Sequence, residues 1–142
     1  MSPSRGRTSR IVIGIDSVRG EERGVRRKHH ELHAWQLAIE LVKEVYALSE
    51  KFPRDEAYGL TAQVRRAAIS IPSNIAEGAA RATDREFLYF LHVSRGSLSE
   101  LETQIVLAKE LGFLKESERV DQLIENVFSK LGGLIKAKKV KE

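Results

Sequence analysis

A proline set inside a helical apolar stripe is the feature that most constrains this chain. Residues 59–81 read GLTAQVRRAAISIPSNIAEGAAR, with apolar side chains at Leu60, Val64, Ala67, Ala68, Ile71, Ile75 and Ala79. Steps of three and four are the spacing of a helix that buries one face. Pro72 falls on that stripe. A proline there removes one backbone donor and crowds the carbonyl four residues back, that of Ala68. The pattern predicts a helix kinked at Pro72, bending with the curvature of a bundle. The Ala68 carbonyl is then expected to be satisfied by a Ser or Asn side chain, or by water.

Three further stretches carry the same period. The first runs from about Glu31 to Lys51, with Ala34, Trp35, Ala38, Leu41, Val42, Val45 and Leu48 on a stripe that Ile39 and Tyr46 widen. Pro53 stops it, and Asp55 is the expected cap of the next helix. The third begins at Thr83 or Asp84, where TDRE has the form of a capping box. Its stripe is Phe87, Leu91, Ser94, Leu98, Leu101, Ile105 and Ala108, and Gly112 is its expected C-terminal cap. The fourth runs from about Glu116 to Ile135, beyond which KAKKVKE reads as a frayed basic tail. Four amphipathic helices with short connections predict an all-α, antiparallel up-down-up-down four-helix bundle. It is expected to span residues 29–138, with a basic tail at 139–142.

The 142-residue length allows one domain with a real core. The net charge of +4 is unevenly spread. Residues 1–30 carry eight Lys or Arg against three acids, and the last seven residues carry four Lys against one Glu. The stretch between them is net acidic, so the basic balance belongs to the two ends. Residues 1–28 are rich in Arg, Gly and Ser and lack sustained periodicity. They are expected to be a disordered arm, whether solvated, nucleic-acid-binding or translated from upstream of the native start. The IVIGI run within them has no strand partner in the rest of the chain. The absence of cysteine excludes disulfides and thiolate metal sites. No apolar run approaches a membrane span or a secretory signal, and a cytoplasmic location is expected.

Catalytic templates fail one by one. His29 and His33 fall at the start of the first helix and read as a solvated turn, not a metal pair. Glu100 and Glu102 lie two apart and point to different faces. Phosphate-binding and nucleophile motifs are absent, so a non-enzymatic protein without cofactor or metal is expected. What remains is arginine. All five basic residues between 59 and 100 are Arg65, Arg66, Arg81, Arg85 and Arg95. Arginine suits planar bidentate contacts to carboxylate or phosphate. Two readings stand: a phosphate-contacting track, or ion pairs with acids such as Glu77 and Glu86. Ser70, Asn74 and Glu77 line the polar border of the proline-bearing helix. Apolar surface also exceeds what one core needs. The run Phe87 to Leu91 is five large residues long, and Ile39, Tyr46, Leu88, Tyr89 and Phe90 are the expected homo-oligomer contacts.

The segments HAWQLAIELVKEVYALSEKFPRDEAYGLTAQVRRAAISIPSNIAEGAAR and EFLYFLHVSRGSLSELETQIVLAKELGFL resemble a bacterial four-helix-bundle family over residues 31–138. That family includes proteins encoded in intervening sequences of 23S ribosomal RNA genes and the accessory variability determinant of diversity-generating retroelements. The resemblance implies an up-down bundle that forms a homopentamer and has no catalytic activity of its own. Its retroelement members are implied to bind nucleic acid, RNA or DNA, and a reverse transcriptase. The family's R-R pair falls on Arg65 and Arg66, and its S-I-P-S-N-I-A-E-G on Ser70 to Gly78. Two departures stand out. Residues 1–28 precede the place where relatives usually begin. After Gly78, Ala79 and Ala80 stand with Arg81 alone where relatives often carry an aromatic residue and a further basic cluster, which thins the basic surface.

Overall fold

The computed structural model describes residues 27–140. Four helices carry the chain: α1 (His33–Ser49), α2 (Leu60–Ala79), α3 (Asp84–Glu110) and α4 (Glu118–Val140). A 3-10 turn at Lys28–Glu31 leads into α1, and a second, Arg54–Glu56, lies in the loop before α2. The described residues contain no strand. The expected N-terminal arm, IVIGI included, falls outside the described residues except for Arg27 and Lys28. Lys141 and Glu142 also fall outside them. Among the described residues no helix is long and apolar enough to cross a membrane.

α2 packs on α1 and on α3, and α4 packs on α3 and on α1, so α1 and α3 lie diagonally across a four-helix bundle. Along the α2–α3 seam, Ile71 meets Ser94, Ser70 meets Ser97 and Gln63 meets Gln104. Falling numbers on one helix meet rising numbers on the other. Every position expected on the α3 stripe, from Phe87 to Ala108, is buried. Leu41 and Val45 of α1, Val64 and Ile71 of α2, and Leu123 and Leu131 of α4 close the core from the other sides. Each such fully buried side chain contributes about 1.5–3 kcal/mol. Ion pairs join the helices at the surface: Arg119 Nη2 on α4 meets the buried Glu40 Oε2 on α1, and Lys109 on α3 lies 3.5 Å from Asp121 on α4.

The helix ends show why the turns fall where they do. Thr83 Oγ1 accepts the Glu86 N–H at 3.1 Å, which caps α3 as the sequence indicated. At its far end Gly112 adopts φ +80°, the left-handed conformation that favours glycine. The Phe113 N–H reaches the Ala108 carbonyl at 2.8 Å, and the Phe113 ring lies 6.0 Å from Phe52. The cap of α2 differs from expectation. Glu56 Oε1, not Asp55, accepts the Leu60 N–H at 2.9 Å.

Two other expectations shift. α2 runs on through Pro72 to Ala79, but among the described residues no side chain donates to the Ala68 carbonyl. The side-chain hydrogen bonds beside the proline land on the Ser70 and Ile71 carbonyls, donated by Asn74 Nδ2 at 2.8 Å and Ser94 Oγ at 2.9 Å. α4 continues past Ile135 to Val140, so Lys136, Lys138 and Lys139 stand on a helix and not in a frayed tail. Gly132 and Gly133 lower helix propensity there, but tertiary contacts override it. Ile135 is buried, and Lys138 Nζ lies 3.5 Å from Asp84 Oδ1 and 5.3 Å from the Phe87 ring centre.

Candidate nucleic-acid interface

The five arginines do not form one track. Arg65 faces α1: its Nε donates to Ser49 Oγ at 2.8 Å and its Nη2 to the Tyr46 carbonyl at 3.2 Å. Its guanidinium sits 4.4 Å from the Tyr46 ring centre. The last carbonyls of α1 are the negative end of that helix. Arg65 therefore caps a neighbouring helix, a structural role. Arg66, the next residue, is exposed and makes no ion pair among the described residues. Arg81 lies about 24 Å along the same helix direction at 1.5 Å per residue. Its Nη2 donates to Glu77 Oε2 at 2.6 Å, and its guanidinium lies 4.8 Å from the Phe90 ring centre. Arg85 is exposed and unpaired among the described residues. Arg95 is half-buried and donates to His92 Nδ1 at 3.1 Å.

The polar border of α2 is a helix–helix clasp. The hydroxyls of Ser70 and Ser97 share a hydrogen bond of 2.7 Å, and Asn74 Nδ2 donates to Ser70 Oγ at 3.0 Å. Glu77 serves Arg81 and plays no part in the clasp.

The expected oligomer contacts also divide. Leu88 is part of the monomer core, because the first turn of α3 rotates it inward with Phe87. Tyr89 beside it is 62% exposed, and Phe90 is half-buried under Arg81. Ile39 and Tyr46 lie instead on the α1–α2 side. There Trp35, Ile39, Val42, Ile69, Pro72 and Ala76 line a shallow apolar groove of about 380 Å³. Since α1 and α3 are diagonal, these residues make two separate patches.

The two ends of the bundle differ in charge. Lys28 and Lys138 both approach the Phe87 ring, and Gly78 lies against the same side chain. The start of α1, the end of α2, the start of α3 and the end of α4 therefore share one end. Arg27, Lys28, Arg81, Arg85 and three lysines of the last α4 turns gather there, against Glu31, Glu77, Asp84 and Glu86. His29 joins them, held below its ordinary value of 6.5 by burial, then by His30 and Arg27. The opposite end, joined by Phe52 and Phe113, is close to charge balance: it carries Glu44, Glu50, Asp55, Glu56, Glu110, Glu116, Glu118 and Asp121, against Lys43, Lys51, Arg54, Arg65, Arg66, Lys109, Lys115 and Arg119. Among the described residues no group of His, Asp or Glu is placed to hold a metal ion.

Sequence reasoning missed the Arg65–Ser49 contact, the apolar groove and the role of Gly78. A Cβ at Gly78 would lie 2.8 Å from Phe87 Cδ1 and 2.8 Å from Phe90 Cβ, so only glycine lets the first turn of α3 close on α2. A signal for this was present. Gly78 continues the stripe of Ile71 and Ile75, where a helix would otherwise carry a side chain.

A family model described as 23S rRNA-intervening sequence protein matches residues 30–133. No curated protein matches the chain with significance. The chain belongs to the 23S rRNA-intervening sequence protein family.

Proposed function

We propose that this member of the 23S rRNA-intervening sequence protein family is a non-enzymatic, cytoplasmic adaptor that self-associates and binds nucleic acid. The observation that carries this reading is the polarity of the bundle. At one end Arg65 is committed to α1, and acids and bases balance. At the other, Arg85 stands exposed among lysines. Seven cations against four acids leave this end net positive, and a net positive patch is what a phosphate backbone recognises. A mobility shift on structured RNA and DNA at about 50 mM salt tests it. Binding that weakens with added salt supports the reading, and no shift on either defeats it.

Self-association is supported by the α1–α2 groove, where Ile69 is exposed and Trp35, Ile39, Val42 and Ala76 are half-buried around the buried Pro72. The resemblance implies five copies. Sedimentation at micromolar concentration should give an oligomer that Ile39→Glu and Ile69→Glu dissociate. A clean monomer would defeat self-association, whereas an oligomer that binds no nucleic acid would favour a homo-oligomeric scaffold for a protein partner such as a reverse transcriptase.

A further inference from the structure

We propose that the basic end binds an unpaired stretch of nucleic acid, with Tyr89 as the platform for a base and Arg85 as a phosphate contact. This rests on the nucleic-acid reading above and adds the class of ligand and the residues.

Tyr89 is the exposed aromatic of this end, and it is not loose. Its ring meets Phe90 edge-on, with centroids 5.0 Å apart and planes at 84°. Phe90 in turn lies under the Arg81 guanidinium. The glycine at 78 allows this seat, since any side chain there would strike Phe87 and Phe90. Arg85 stands one turn before Tyr89 on α3, and residues four apart share a helix face. Tyr89 thus shares a helix face with the exposed Arg85, and the Phe90 ring that it meets edge-on is itself held under Arg81.

A ring offered this way meets a base only when that base is unstacked, as in single strands, loops and bulges. A duplex would engage the cations and leave the ring idle. An anionic membrane fits less well. Interfacial binding needs a broad apolar face, and among the described residues Tyr89 is the only large apolar side chain at this end that is mostly exposed. Tyr58 provides an internal contrast. It is 99% exposed, but it sits at the opposite, charge-balanced end, close in sequence to Asp55 and Glu56.

The test is fluorescence anisotropy of the full chain with a labelled oligouridylate, a duplex RNA of equal length, and phosphatidylserine-containing vesicles, at about 50 mM salt. The single strand should bind more tightly than the duplex. Tyr89→Ala should weaken single-strand binding about tenfold, within the range for losing one stacked base, with no change in melting temperature. Tyr89→Phe should restore binding, and Tyr58→Ala should leave it untouched. Full affinity in Tyr89→Ala, or equal affinity for duplex, would overturn this site while leaving the nucleic-acid reading intact. Binding to vesicles but to neither nucleic acid would overturn both, as would no binding at all.

Discussion

Arg65 and Arg85 are the same side chain at opposite ends of one bundle. Arg65 reaches a serine, a carbonyl and a tyrosine ring of α1, and it is spent on holding two helices in register. Arg85 reaches nothing within the described chain. The contrast teaches that arginine content alone does not mark a binding surface. The distinguishing property is whether the guanidinium already has a partner. Arg65 closes the fold at its end, and Arg85 is held out at the other with an aromatic ring one turn along the same helix.

The strongest way to break that contrast is to disturb the basic end from within. Gly78→Ala should cost about 2–3 kcal/mol, because the added methyl forces Phe87 and Phe90 to move. Gly96→Ala, with open space around it, should gain up to about 1 kcal/mol from helix propensity. Urea unfolding of the two variants reads both signs, and equal effects would show that α3 is not held closed at Gly78.

At the other end, Arg65→Ala should lower stability by about 1–2 kcal/mol through two hydrogen bonds and a cation–π contact. Arg65→Lys should recover only part of this, since a point charge cannot reproduce the fork. Arg85→Ala should stay within about 0.5 kcal/mol of the native protein, as expected for an exposed side chain.

The smallest effect concerns pH. Burial and the neighbouring His30 and Arg27 hold His29 below 6.5, so the fold favours its neutral form. The unfolded chain then takes up the proton first as pH falls. Stability is therefore full above about pH 6.5 and declines as pH drops through the lowered value. His29 and His30 lie 5.0 and 5.2 Å from the single tryptophan, Trp35. Acidification should change Trp35 emission, and His29→Gln should flatten that change.

The helices and the core were legible because burial on one face imposes a period. Phe87 to Ala108 could be read as inward without knowing their neighbours. What escaped depends on how the helices are rotated against one another. Leu88 and Tyr89 are adjacent in one apolar run, and only the seating of α3 on α2 decides that the first is core and the second surface. Arg65 and Arg66 are equally ambiguous in sequence, and the position of Ser49 separates them. The cap of α2 was missed by one residue because Asp55 lies within a 3-10 turn that brings Glu56 to the Leu60 N–H. The end of α4 was missed because Lys138 finds partners on α3 that no local pattern reveals.

The division of labour between the two arginines is tested most directly by the salt dependence of single-strand binding. For a single strand, log K falls with log salt by about 0.7 per phosphate neutralised. Arg85→Ala should reduce that slope by about 0.7, and Arg65→Ala should leave it unchanged while lowering the melting temperature. A slope that falls with Arg65→Ala and not with Arg85→Ala would contradict the account.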